Sequence, residues 1–182
     1  MILKTALKLF VENGFHGTAT SKIAQEAGVA NGTLFNYYAT KETLIVSLYN
    51  SIVKNMDDFI MDSLESSSVS KESFHSLFFA ILQWNLNNTT EFQYLQQFKN
   101  SPYYKAIETT NLKLDENPLF ILIQNGINIV LIKPLPASLI FSLFTAQIDG
   151  LCYYINTNSV KDDERNELIN LTFDLIWKTI ED

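Results

Sequence analysis

Apolar positions recur every three to four residues along almost the whole chain, and stretches with the two-residue alternation of strands are scarce. Ile2, Leu3, Ala6, Leu7 and Phe10 follow the helical period, and Gly14 supplies a helix stop. Thr18 or Thr20 is expected to cap a short helix carrying Ile23, Ala24 and Ala27, which ends at Gly28. After the turn Gly28-Val29-Ala30, the segment from Asn31 to Tyr38 is long enough for two helical turns. Lys41 opens a long helix with Leu44, Ile45, Leu48, Ile52, Met56, Phe59 and Ile60, and the cluster Ser66-Ser67-Ser68 interrupts it. Further helices are predicted over Lys71–Leu86, Glu91–Lys99, Leu119–Leu131, Pro136–Ile155 and Glu164–Ile180. The pattern is all-α: a three-helix amino-terminal head joined by the long helix to a helical body. The boundary is expected inside that helix, dividing residues 1–49 from 50–182.

Charge gives the two parts different characters. The net charge is −7. Residues 1–49 nevertheless hold Lys4, Lys8, Lys22 and Lys41 against only Glu12, Glu26 and Glu42, so the excess of acid lies in the rest. The head can lie against a polyanion that the body would repel. Hydrophobic residues make up 47% of the 182, enough for a sizeable core and incompatible with global disorder. No apolar run approaches the roughly 18 residues of a membrane span, and no basic-then-apolar leader opens the chain, so a cytoplasmic protein without a membrane partner is expected. The single Cys152 makes no intrachain disulfide, and His16 and His75 lack partners at metal-ligand spacing. With no Gly-rich phosphate loop either, no cofactor, no metal and no catalytic residue is expected, and the chain reads as a non-enzyme.

The informative stretch is residues 18–41. Two short helices around a tight Gly-containing turn are what a helix-turn-helix requires, the second helix entering the major groove of double-stranded DNA. Leu34 and Tyr38, four apart, share the face that packs on Ile23 and Ala24. Asn31, Gly32, Thr33, Phe35, Asn36 and Tyr37 fill the remaining arc. Asn pairs with adenine in two places, Thr and aromatic rings touch a thymine methyl, and Gly permits close backbone approach. Tyr37, Lys41, Thr20 and Ser21 are candidate phosphate contacts, the last two at a helix amino end.

Residues 14–44, GFHGTATSKIAQEAGVANGTLFNYYATKETL, resemble the amino-terminal domain of TetR-type (tetracycline-repressor family) transcriptional regulators. The resemblance rests on Leu9-Phe10, Gly14-Phe15, Thr18, Ile23-Ala24, Ala27-Gly28-Val29, Gly32-Thr33-Leu34, Tyr37-Tyr38 and Lys41-Glu42. It implies a homodimer with two DNA-binding heads on a palindromic operator and a helical body that takes a small-molecule effector. Residue by residue, it places Thr20, Ser21, Asn31, Gly32, Thr33, Phe35, Asn36, Tyr37 and Lys41 at the family's DNA-contacting positions. Ala19 stands where Ser or Thr is common and Phe35 where Tyr is common, and the basic lead-in usual before the first helix is not in this sequence.

The last two helices are apolar on more than one side, so each is expected to pack on its own chain and on a second copy. Leu143, Ile148, Gly150, Leu151, Leu168, Phe173 and Ile176 are the candidate dimer contacts. The resemblance implies an apolar ligand pocket in the body, for which Phe78, Trp84, Tyr94, Phe98, Tyr103, Phe120, Gln124, Phe144 and Gln147 are the candidates. The expected function is a ligand-responsive repressor; the competing reading is a helical small-molecule sensor that binds no DNA.

Overall fold

The computed structural model describes residues 1–63, 68–108, 116–158 and 160–182. Ser66 and Ser67, expected to interrupt the long helix, lie outside the described residues. Among the described residues the chain is all-α, with α1 (Ile2–Gly17), α2 (Thr20–Glu26), α3 (Asn31–Tyr37), α4 (Lys41–Ser63), α5 (Lys71–Asn87), α6 (Thr89–Lys99), α7 (Pro102–Glu108), α8 (Pro118–Asn128), α9 (Ala137–Asn158) and α10 (Asp162–Ile180). Among the described residues an isolated antiparallel bridge joins Ile132 and Glu181. The predicted helices are all present. The addition is α7, which begins at Pro102, where a missing N–H costs a first helical turn nothing.

The capping side chains are not those expected. Neither Thr18 nor Thr20 caps α2: its N-cap is Ala19, without a side-chain bond. Thr18 is fully buried, with Oγ1 3.0 Å from the Leu9 carbonyl and 2.8 Å from that of Gly14, so it ties the end of α1 to its own interior. Caps occur instead at Thr40, whose Oγ1 accepts from the Thr43 N–H at 3.1 Å, and at Asn117, whose Oδ1 accepts from Leu119 and Phe120 at 3.1 and 3.2 Å.

Packing divides the chain into two compact units, Met1–Asn55 with Asn88–Leu112, and Met56–Asn87 with Lys113–Asp182. The units follow packing rather than chain order, since α6 and α7 group with the head although they lie beyond residue 49. In the first unit α6 packs on α1. The Tyr94 ring makes an edge contact with Phe15 at 5.5 Å, and its hydroxyl donates to the Ile45 carbonyl at 2.8 Å. Burial raises the Tyr94 hydroxyl pKa well above the usual tyrosine value, so it remains a neutral donor. Tyr49 stacks on Phe98 at 4.2 Å, and Gln97 donates to the Val11 carbonyl at 3.2 Å.

In the second unit α9 packs on α5, α8 and α10, and α5 packs in turn on α8 and α10. Phe74, Phe78, Phe144, Phe173 and Trp177 form its aromatic core, with Phe78 meeting Phe144 edge-on at 5.5 Å and Phe173 at 5.7 Å. Gly126 lets α8 approach closely: a Cβ there would lie 3.1 Å from the Phe74 ring and 3.3 Å from Ile132. Of the described helices, α9 is long and apolar enough to cross a membrane, contrary to the reading of the sequence, but Ile140, Phe144, Ile148, Cys152 and Ile155 face the core of its own unit.

Candidate functional site

The turn between α2 and α3 is built by local hydrogen bonds. Gly28 adopts φ +68°, a conformation side-chain-bearing residues rarely take. Its N–H donates to the Gln25 carbonyl at 3.1 Å, and the Val29 N–H reaches back to Ala24 at 3.0 Å. This paired closure ends α2 and turns the chain directly into α3. Ile23, Ala24 and Ala27 of the α2 side and Leu34 of α3 are buried, so Leu34 locks α3 against α2. Gly14, at φ +71°, makes the corresponding bend near the end of α1, where Phe10 and Phe15 meet edge-on at 5.3 Å.

With Leu34 buried, the rest of α3 is displayed. Asn31, Gly32, Phe35, Asn36 and Tyr37 are exposed and Thr33 half-exposed, Tyr37 being the most open aromatic at 72%. Tyr38 is half-buried. Ser21 is exposed and Thr20 half-exposed at the start of α2, while Lys41 is half-exposed at the first position of α4. Lys22 is held loosely by Glu26 at 4.0 Å, an exposed pair of little energetic consequence. The backbone N–H of Glu42 and the Thr40 hydroxyl lower the Glu42 carboxyl pKa, with a smaller contribution from Lys41.

The nine ligand candidates are divided between the units. Tyr94, Phe98 and Tyr103 belong to the first, where Tyr94 and Phe98 brace the head. Phe78, Trp84, Phe120 and Phe144 are buried in the second, where Phe78 meets Phe144 and Phe120 meets Phe141 edge-on, while Gln124 is exposed and Gln147 half-buried. Aromatic spacing on a helix does not tell a core ring from a cavity wall. Two clefts of the second unit lie along α5. A cleft of about 500 Å³ is lined by Phe59, His75, Ser76, Phe79, Ala80 and Gln83. One of about 300 Å³ is lined by Lys71, Glu72, His75, Ser76, Asn170, Phe173 and Asp174. They share His75 and Ser76, so apolar and charged walls adjoin. Lys71 is paired with Asp174 at 3.1 Å, and His75 Nε2 lies 2.9 Å from Asn170 Oδ1. Phe59, read in the sequence as part of the apolar stripe of the long helix, is exposed instead, and Phe79 lies one step off the stripe of α5.

The dimer candidates are similarly sorted by burial. Ile148, Leu151, Phe173 and Ile176 point into the core of their own unit and are not available to a second chain, whereas Leu143 and Gly150 are exposed and Leu168 half-exposed. The outward apolar positions of α9 are Leu139, Leu143, Tyr153 and Tyr154, and those of α10 are Leu171 and Leu175, the last exposed to 62%. The periodicity marked both helices as apolar on more than one side; only packing separates the inward from the outward stripe. Cys152 is buried beside Asn85, and burial pushes its thiol pKa up to about 12, leaving it unreactive at neutral pH. Among the described residues no group of three His, Cys, Asp or Glu is placed to hold a metal ion.

A short helix locked by one leucine against its neighbour, with amides and aromatics turned outward, defines a helix-turn-helix protein. Residues 2–48 match the family model described as bacterial regulatory proteins, tetR family. The structure is similar over 100% of its length to 96% of a tetR family transcription regulator from Shewanella sp. PV-4, with 29% identity and a TM-score of 0.90. It is also similar, over 96% of this chain and 95% of the other, to the transcriptional regulator FadR of Bacillus subtilis solved in complex with stearoyl-CoA, with 25% identity and a TM-score of 0.76. By sequence, 71 residues are 32% identical to the fatty acid metabolism regulator protein of Bacillus subtilis (strain 168), 39% of this chain and 37% of that protein. The chain spans less than half the length of the curated relatives first matched, 37% of one and 44% of the next. Residues 2–48 are thus similar to the amino-terminal domain of tetR-family regulators, and the described residues have the fold of such regulators.

Proposed function

We propose that this chain is a homodimeric, ligand-responsive transcriptional repressor of the cytoplasm, with DNA binding in residues 1–49, ligand binding and dimerisation in 50–182, and no catalytic activity. One observation carries the DNA-binding part: on α3 the single buried residue is Leu34, and Asn31, Gly32, Phe35, Asn36 and Tyr37 all face outward. Asn31 and Asn36 read base edges, Phe35 and Thr33 meet thymine methyls, and Tyr37, Lys41, Thr20 and Ser21 hold phosphates. The outward leucines of α9 and α10 pair with their copies in an intersubunit four-helix bundle. Two recognition helices then meet successive major grooves of a palindromic operator.

The effector is a small, mostly apolar molecule that occupies the α5 clefts, its apolar part over Phe59, Phe79 and Ala80 and its polar part toward His75, Ser76 and Gln83. The stearoyl-CoA held by the similar FadR structure makes acyl-CoA thioesters the first ligands to try. Binding changes operator affinity only by the difference in ligand affinity between the DNA-competent and incompetent forms. The long helix α4, which opens at Lys41 and carries Phe59, transmits that difference.

The test is fluorescence anisotropy on a duplex recovered by selection, with stearoyl-CoA and shorter acyl-CoA thioesters titrated in. Loss of operator affinity on titration is expected. Unchanged affinity throughout the series contradicts the choice of ligand. Equal affinity for the selected duplex and random DNA contradicts the repressor reading and favours a sensor without DNA binding.

A further inference from the structure

The charged cleft along α5 already holds a head group of its own. Lys71, the first residue of α5, extends its ammonium to Asp174 of α10 at 3.1 Å. The same Nζ lies over the Phe173 and Trp177 rings, 5.9 Å from each centroid. These two rings stack on one another at 6.0 Å and are buried, so they form a fixed aromatic floor. His75 and Asn170, 2.9 Å apart, make a second α5–α10 pair in the same cleft. Aromatic faces that attract one ammonium attract another, and quaternary ammonium ligands are held in this way.

Charge and mobility decide what can take the place of Lys71. The ionic side chains lining the cleft are Lys71 against Glu72 and Asp174, one cation and two anions. The backbone N–H of Glu72 and then the Ser70 hydroxyl lower the Glu72 carboxyl pKa, so this acid stays ionised. An incoming carboxylate or phosphate has to draw Lys71 away from Asp174 and then sit beside both acids, like charge against like charge. An incoming cation has only to displace Lys71, a flexible side chain already 45% exposed, and it inherits Asp174 and the two rings. The lysine ammonium regains a strong hydration shell when it leaves, whereas a substituted ammonium loses little water on entering. The adjoining cleft, which shares His75 and Ser76, offers Phe59, Phe79 and Ala80 to an apolar tail. We infer that the α5 clefts take an amphiphilic cation, an apolar chain ending in a substituted ammonium, and that Lys71 is a built-in occupant which this head group displaces. The inference rests on the effector reading above and names the head group that reading leaves open.

Isothermal titration calorimetry of the full chain with dodecyltrimethylammonium, dodecanoate and stearoyl-CoA, each below its micelle concentration, is the test. The first two have tails of similar length and differ in head charge. The cation is expected to bind about tenfold more tightly than dodecanoate. Asp174→Asn should weaken the cation about tenfold without weakening dodecanoate, and Lys71→Ala should tighten the cation about threefold. Both positions are exposed, so helix content by circular dichroism should match the parent. Tighter binding of dodecanoate or stearoyl-CoA than of the cation overturns the cationic head group and leaves the effector reading standing. Cation binding that is indifferent to both substitutions does the same, because adsorption to an acidic surface behaves so. Binding of none of the three, by the parent and by Lys71→Ala alike, overturns the head group and the effector reading together.

Discussion

Two surfaces of this protein are left uncovered by its own folding, and they differ in kind. On α3 the displayed residues are Asn31, Gly32, Phe35, Asn36 and Tyr37, a mixture of amides and aromatics with Lys41 close by in sequence. On α9 and α10 they are Leu139, Leu143, Leu171 and Leu175 with Tyr153 and Tyr154. Amides and hydroxyls remain well solvated until a ligand with matching donors and acceptors replaces the water, as a base edge does. Exposed leucines gain only by excluding water, as a second apolar surface allows. The composition of each uncovered surface matches the partner proposed for it: a hydrogen-bonding duplex for α3 and a second apolar protein face for α9 and α10.

The comparison can be broken at either surface. Leu34→Ala removes the residue that seats α3 and should lower the unfolding free energy by about 2–5 kcal/mol, read by urea denaturation, with operator binding lost as well. Leu143→Asp with Leu175→Asp places charges on the dry surface. This double variant should raise the dimer dissociation constant about 100-fold, or roughly 2.7 kcal/mol, while the monomer stays helical. An unchanged dimer would remove the distinction between the two surfaces. Asn36→Ala should cost about 1–3 kcal/mol on the preferred duplex and much less on variants at one base pair, by competition binding.

A smaller effect concerns α4. Asp57 is half-buried, one of its oxygens has no hydrogen-bond partner, and burial followed by the neighbouring Asp58 raises its pKa to about 6. The folded chain therefore holds this proton more tightly than the unfolded one, a contribution to stability present in acid and lost as pH rises through about 6. Asp57→Asn should stabilise the protein at pH 7 by about 1 kcal/mol after solvent screening is allowed for, and by little at pH 4. Lys41→Ala should reduce the slope of log affinity against log salt by roughly 0.9 without altering sequence preference. A change in preference would move Lys41 from the phosphates to the bases.

The two surfaces were not equally legible in the sequence. The displayed face of α3 was readable residue by residue, because a seven-residue helix with one leucine against its neighbour has a single way to pack. The outward stripe of α9 and α10 was readable only as an excess of apolar residues. Ile148 and Leu151 look no different in sequence from Leu139 and Leu143, and which pair turns inward depends on the aromatic core around α5. Tyr94 and Phe98 were read as cavity walls because aromatics at helical spacing are ambiguous, and their place in the first unit follows from long-range contacts with Phe15, Ile45 and Tyr49. The clefts along α5 depend on Phe59 and Phe79, each apolar at a position its own helix leaves open.

The most direct test of a paired DNA reader is selection of duplexes bound by the full chain from a random pool, followed by sequencing. The account predicts a recurring palindrome with half-site centres about one DNA turn, roughly 34 Å, apart. Recovery of no preferred sequence, or of a lone half-site without its inverted repeat, would contradict it.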